Sequence, residues 1–209
     1  DQTGGTITAG TLGVNAATSI NLASNNAVAT TFAAKATNGN LLFKNANGYD
    51  INTVAADGTQ FTLVDGVTAV AASTNITLEA GSGTVTQTSG KLVRTDTGGS
   101  GATGGLELKG GGAFTLTDAG NSVSTLAAGT GAGVLRYVNA GALTVGTVNS
   151  VGVTRTGDTL INTQTGNLTL AQSINVGTGN SLRLQSVAGK VDQTGGTITA
   201  GTLGVNAAT

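Results

Sequence analysis

The sequence has no cysteine, proline, histidine, methionine or tryptophan, and three of these absences narrow the range of structures. Without cysteine there is no disulfide framework and no thiolate metal site. Without histidine as well, zinc sites and most nucleophilic mechanisms are not expected. Proline removes a backbone donor and is kept out of paired strands, so a chain without it suits continuous β-sheet.

Charge and aromatic side chains are also scarce. Charged residues make up 9% of the chain, the net charge is −1 and aromatics are 3%. Nucleic-acid binding needs a basic footprint, so we expect no nucleic-acid partner. No apolar run approaches the roughly 20 residues of a membrane helix, so no membrane span is expected in this segment.

Glycine and short apolar alternations dominate what is present. The 35 glycines follow no three-residue period, which excludes collagen, and 38% hydrophobic residues with little net charge argues against disorder. Two-residue apolar periods typical of half-buried strands recur throughout, as in Leu41–Phe43, Phe61–Leu63, Ile76–Leu78, Leu106–Leu108 and Leu182–Leu184. Clusters of Gly, Asn, Asp and Ser separate them and predict turns.

One stretch occurs twice without a substitution. Asp1–Thr18 is identical to Asp192–Thr209, an offset of 192 − 1 = 191 residues. Val85–Leu92 is a weaker third copy that matches Val191–Ile198. Such self-similarity is the signature of a repeat architecture.

A second similarity divides the period. Asn26–Ala34 resembles Asn121–Ala128, and the likeness continues through Asn45 and Asn139. We therefore predict that residues 1–209 are a single segment of a tandem array, with diverged units at 1–84 and 85–191. Residues 192–209 are then the first coil of the next 191-residue period.

These patterns predict an all-β fold, a right-handed parallel β-helix (solenoid) of about ten coils. In such a solenoid each strand pairs with the strand one coil away, about 4.8 Å along the axis. Alternate side chains fill the bore, and each coil contacts its neighbours alone, so insertions are tolerated.

The units resemble the filamentous haemagglutinin-type repeats of large bacterial secreted adhesins. The resemblance covers nearly the whole chain and is carried by Gln2–Val14, Ser19–Leu22, Asn26–Ala34 and Ala140–Val148. It implies a right-handed β-helix shaft exported by two-partner secretion or as an autotransporter. It also implies roles in adhesion, aggregation or fibre formation.

Motifs that would carry chemistry are weak. Gly99–Gly104 reads G-x-G-x-x-G, but an apolar alternation follows where a dinucleotide site needs a helix, which indicates a loop. The ten acids are scattered; Asp57 with Glu79, and Asp96 with Asp118, lie about one coil apart and are the pairs that stacking would bring together. Catalysis needs convergent acids, so we predict no enzyme, and no catalytic, cofactor-binding or metal residues.

The sequence is compatible with three functions. The first is a structural shaft of an extracellular or bacterial cell-surface fibre or giant adhesin, whose partners are neighbouring copies of the same repeat. The second is a carbohydrate- or surface-binding module for host or bacterial glycans, marked by an exposed aromatic or Asn-rich groove. The third is a polysaccharide lyase or hydrolase, marked by a charged cleft. Composition favours the first, which needs no cofactor.

Overall fold

The computed structural model describes residues 1–96 and 102–208, and this part of the chain forms strands and no helix. The strands of the first half are β1 (Thr8–Ala16), β2 (Ile20–Ala36), β3 (Leu41–Asn45), β4 (Asp50–Ile51), β5 (Thr53–Val54), β6 (Val64–Asp65), β7 (Val67–Ala69), β8 (Ile76–Ala80), β9 (Thr84–Gln87) and β10 (Val93–Arg94). Those of the second half are β11 (Gly105–Lys109), β12 (Ala113–Leu116), β13 (Thr125–Gly131), β14 (Leu135–Asn139), β15 (Leu143–Val145), β16 (Val153–Arg155), β17 (Thr159–Thr163), β18 (Leu168–Leu170), β19 (Ile174–Ser186), β20 (Val191–Gln193) and β21 (Ile198–Ala207). The all-β prediction is confirmed.

The strands stack in parallel as a solenoid of about eight turns. One ladder of paired residues climbs one turn at a time through Ile20, Leu41, Ile76, Leu106, Leu126, Val145, Leu170 and Gln193. Below it, the backbone N–H of Gln2 donates to the carbonyl of Asn21 at 2.8 Å. Gln2 and Gln193 occupy the same place in the two copies of the repeated stretch, so eight turns make up one period of the repeat.

Excursions explain why the structure has about eight turns where the sequence predicts about ten. The turn from Ile20 to Leu41 is short, whereas the turn from Leu41 to Ile76 is much longer. The longer turn contains residues 52–66, in which β5 and β6 form an antiparallel hairpin. An estimate based on the short turns alone takes no account of such insertions and therefore gives too many turns.

The core is a continuous column of inward side chains. Along β3 the inward residues Leu41, Phe43 and Asn45 are at most 1% exposed, while the residues between them are half-buried. Burial of one such Leu or Phe contributes about 1.5–3 kcal/mol. The rings of Phe32 and Phe43 stack at 3.8 Å between centroids, so apolar contacts run from turn to turn.

Gly66 returns the chain from the hairpin to the stack. It has a positive φ of 67°, and a Cβ there would lie 2.4 Å from the carbonyl oxygen of Leu92. Its N–H donates to the carbonyl of Asn52 at 3.0 Å and closes the excursion at its base. The conformation and the space both require glycine at this position.

Two buried tyrosines differ in one hydrogen bond, and this gives a test of the core. Burial raises the pKa of both phenols. The Tyr137 hydroxyl donates to Asn139 Oδ1 at 2.9 Å, whereas the Tyr49 hydroxyl has no partner among the described residues. We expect Tyr49→Phe to raise the free energy of unfolding by about 1 kcal/mol and Tyr137→Phe to lower it by about as much. Urea unfolding of both variants measures this, and changes of the same sign would contradict it.

Candidate assembly interface at the last turn

The duplicated stretch has the same local geometry at both ends of the solenoid. Gly5 and Gly196, which are equivalent positions of the two copies, have positive φ values of 72° and 61°. Gln2 Nε2 donates to the carbonyl of Gly5 at 3.2 Å, and Gln193 Nε2 donates to that of Gly196 at 3.0 Å. A strand follows in each copy, β1 in the first and β21 in the second. Identical sequence thus folds alike in two different settings.

The first copy is covered by the turn that follows it. β1 pairs with β2 in a register that places Leu12 beside Phe32 and Val14 beside Ala34. Leu12 and Val14 are partly buried and pack against the hydrophobic core.

The second copy is uncovered on the same side. Among the described residues, β21 has β19 as its partner strand below it and no partner above it. Leu203 and Val205, the counterparts of Leu12 and Val14, are 49% and 55% exposed. An open strand edge with exposed apolar side chains is a template for pairing with another strand.

The hairpin of residues 52–66 covers the outer face of the first copy. A Cβ built on Gly13 would lie 2.7 Å from side-chain atoms of both Val54 and Phe61, so the hairpin packs directly on this glycine. Asn15 Nδ2 donates to Thr62 Oγ1 at 2.9 Å. The hairpin belongs to a later turn, and it packs on the first turn from outside.

Nothing within residues 1–96 and 102–208 covers the equivalent outer face of the second copy. A Cβ on Gly204, the counterpart of Gly13, would meet Arg183 Cγ alone, at 3.9 Å. Gly204 and Asn206 border an open groove of about 300 Å³ together with Leu184 and Val205.

Paired side-chain amides connect the first copy to the turn above it. Gln2 Nε2 donates to Asn26 Oδ1 at 2.8 Å, and Asn26 Nδ2 donates back to Gln2 Oε1 at 3.1 Å. Asn26 is fully buried, accepts from the N–H of Ile7 at 2.9 Å and donates to the carbonyl of Lys44 at 3.1 Å.

The same amide pair recurs in the middle of the chain. Gln87 Nε2 donates to Asn121 Oδ1 at 2.6 Å, Asn121 Nδ2 donates to Gln87 Oε1 at 3.1 Å, and Asn121 accepts from the N–H of Val93 at 2.8 Å. The sequence repeats include all four amide residues, but nothing in them indicates the pairing. Gln193 is the third such glutamine; it is exposed, and no asparagine in residues 1–96 or 102–208 pairs with it.

The acids that stacking was expected to bring together have separate partners. Asp57 accepts a backbone N–H within its own hairpin, and Glu79 lies between a lysine one turn below and another one turn above. Asp96 accepts from the Ser122 hydroxyl at 2.6 Å, and Asp118 accepts two glycine N–H groups. The four carboxylates therefore bind hydrogen-bond donors in turns, a serine hydroxyl or lysine side chains.

Two lateral grooves bear on the other functions considered. One, of about 300 Å³, is lined by Lys35, Asp65, Thr68, Arg94 and Asp96. Lys91 Nζ lies 3.0 Å from Asp65 Oδ1, and Arg94 Nε lies 3.6 Å from Asp96 Oδ1, so each carboxylate has a neighbouring cation. Hydrogen bonds and this lysine outweigh desolvation and hold the pKa of Asp65 below its usual value.

The second groove, of about 250 Å³, is lined by Ser, Thr and Asn residues together with Ala, Val, Gly and Leu residues. Ser124 Oγ donates to the carbonyl of Gly104 at 2.9 Å, and Asn167 Oδ1 accepts from the N–H of Lys190 at 3.0 Å. Its polar groups are thus partly committed to the protein. None of the six aromatic side chains is exposed, so no ring platform for a sugar accompanies the groove.

Across residues 1–96 and 102–208 there is no helix with the length and apolarity to cross a membrane, and no cluster of three acidic residues placed to hold a metal ion. Gly99–Gly101 of the G-x-G-x-x-G motif lie outside the described residues, while Gly104 is followed by strand β11. The expectations of no catalysis and no cofactor stay predictions.

The stacked parallel strands define the class of protein, a β-solenoid. No protein-family model, no curated protein and no solved structure matches the chain. The haemagglutinin-type family therefore stays a prediction, while the β-helix fold that the resemblance implied is confirmed.

Proposed function

We propose that this chain is a segment of the shaft of a secreted, cell-surface or extracellular fibre or giant adhesin, built by end-to-end stacking of 191-residue repeats, and that it holds one period and the first turn of the next. The observation that carries the proposal is the uncovered last turn. Residues 192–208 repeat the first turn, yet Leu203 and Val205 lack the cover that Leu12 and Val14 have. This difference in cover supports the stacking of a further turn on residues 192–208.

Continuous backbone pairing along the solenoid suits a long shaft. Backbone hydrogen bonds link successive turns throughout the described residues, and no proline interrupts them. Eight turns at about 4.8 Å each give a period about 38 Å long. We further propose a role in adhesion, aggregation or matrix formation, with neighbouring repeats as partners. Glycan contact at the polar groove is the alternative.

A two-repeat chain, in which residues 19–209 follow Thr209 directly, tests the stacking. We expect small-angle scattering to show one rod with an unchanged cross-section, longer than the single chain by about 38 Å. Two separate bodies joined flexibly would contradict the proposal.

Val205→Asp provides a matched control. In the single chain Val205 is exposed, so the substitution should change the free energy of unfolding by no more than about 0.5 kcal/mol. In the two-repeat chain the same residue is covered, and the buried charge should disrupt the rod. Val14→Asp, the identical position in a covered setting, should destabilise the single chain.

A further inference from the structure

We propose that the last turn binds the segment of residues 20–66 in the next repeat, and that two contacts make this binding specific. In the first contact, the side-chain amide of Gln193 pairs with that of Asn26 of the next repeat. In the second, the hairpin of residues 52–66 of the next repeat packs over Gly204 and Asn206. The inference rests on the proposed stacking and specifies which surface is stacked.

The chain itself provides the template for this partner. Residues 1–17 and 192–208 have the same sequence and the same turn geometry at Gly5 and Gly196. What covers the first copy therefore fits the second. The cover is β2, which pairs along β1, together with the hairpin above Gly13.

The amide pair fixes the register between turns. A shift of one residue in a strand reverses the faces of its side chains. It would also separate Gln193 from Asn26, and the fully buried amide of Asn26 would lose both of its hydrogen bonds to the glutamine, which is costly. In the first turn, the side-chain amide of Gln2 both donates a hydrogen bond to Asn26 and accepts one from it. Gln193 has the same side-chain amide at the equivalent position.

The register alone does not determine whether the turn that contains Asn26 or the turn that contains Asn121 stacks on the last turn. Asn121 also pairs with a glutamine, so the turn that contains it is a competing partner for Gln193. The two turns differ in the excursions that follow them. Residues 146–152, the excursion after Asn121, are anchored by the Glu107 carboxylate, which accepts from the N–H and the hydroxyl of Ser150 at 2.8 and 2.6 Å.

The side chains of the last turn fit the hairpin of residues 52–66 and do not fit the excursion of residues 146–152. β21 contains no acidic residue, so it offers nothing equivalent to Glu107. It has instead Gly204 and Asn206, the counterparts of Gly13 and Asn15, which receive Phe61 and Thr62 in the first turn. The hairpin thus distinguishes the correct next turn from the similar one.

Cross-linking in the cysteine-free chain tests the hairpin contact. In the two-repeat chain, Asn206→Cys and Thr62→Cys in the second repeat should be joined by a short bismaleimide. The yield should match that of the single chain carrying Asn15→Cys and Thr62→Cys, where the side chains are in contact. The single chain with Asn206→Cys and Thr62→Cys should give no link within one molecule.

The outcomes separate this inference from the proposed function. The cross-link yield of the two-repeat chain could be no higher than that of the single chain carrying Asn206→Cys and Thr62→Cys. If scattering still shows one intact rod, that yield overturns the hairpin contact and leaves the stacking in place. If scattering shows two separate bodies, the stacking itself is overturned. For the amide pair, Gln193→Leu should lower the unfolding midpoint of the two-repeat chain and leave that of the single chain unchanged. Equal midpoint shifts in both chains would overturn the pairing, and Gln2→Leu in the single chain is the positive control.

Discussion

Replacing Asn139 with alanine is expected to lower the free energy of unfolding by about 3–5 kcal/mol, because several buried polar groups lose their partner at about 1–3 kcal/mol each. Asn139 is 1% exposed. Its Oδ1 accepts from the Val123 N–H at 3.0 Å and the Tyr137 hydroxyl at 2.9 Å, and its Nδ2 donates to the Val123 carbonyl at 3.1 Å. The removed side chain also leaves a void in the bore.

Asn25→Ala is the matched control, because Asn25 is exposed and its loss should cost no more than about 0.5 kcal/mol. Asn45 is the counterpart of Asn139 and bonds Val28 in the same way, at 2.8 and 2.9 Å. Asn45→Ala should therefore be nearly as damaging. Urea unfolding gives the three values, and a loss below about 1 kcal/mol for Asn139→Ala would show that the buried amides are not structural supports.

Glu107 is expected to make stability depend on acidic pH. Burial raises the pKa of its carboxyl, but hydrogen bonds from Ser150, Asn149 and Thr77 outweigh burial and hold the pKa below its usual value. A lowered pKa in the folded state means that the contribution is complete above the unfolded value of about 4.3 and is lost as pH falls through the folded pKa. Glu107→Ala should lower the free energy of unfolding at pH 7 by about 2–3 kcal/mol.

Glu107→Gln separates charge from shape. It should be less stable than the original chain at pH 7, and the difference should shrink as pH falls below about 4.3. Glu79→Gln is the control; Glu79 forms surface ion pairs with Lys44 and Lys109, which are worth about 0–1 kcal/mol. Urea unfolding between pH 3 and pH 7 measures the profiles. A pH-independent difference for Glu107→Gln would contradict the account.

The periodic features of the fold were predictable, while features that depend on register were not. Alternation along Leu41–Phe43 or Leu182–Leu184 is local, so strands could be identified one by one. The Gln2–Asn26 pair joins residues that are distant in the sequence, and it becomes visible once the turns are aligned. The alternation along Leu106–Leu108 places Glu107 on the outward side of its strand, but Glu107 is 1% exposed because residues 146–152 fold over it.

Arg155 is the residue that the sequence least anticipates. It is 1% exposed and donates to the carbonyls of Gly110, Gly112 and Gly133, while its guanidinium lies 5.5 Å from the centre of the Phe114 ring. Burial lowers its pKa. Gly131 makes room for the guanidinium, because a Cβ at this position would collide with it, yet in the sequence Gly131 looks like an ordinary turn residue.

Amide hydrogen exchange, followed by NMR, tests the central claim most directly. In the single chain, Thr8–Ala16 and Thr199–Ala207 have the same sequence and hence the same intrinsic exchange rates, but the first copy alone is covered from above. Some backbone amides of β1 donate hydrogen bonds to β2 in the turn above. The equivalent amides of β21 should exchange fast in the single chain, and their exchange should be at least about a hundredfold slower in the two-repeat chain. Equal exchange of β21 in the two chains would contradict the account that the last turn is the seat of the next repeat.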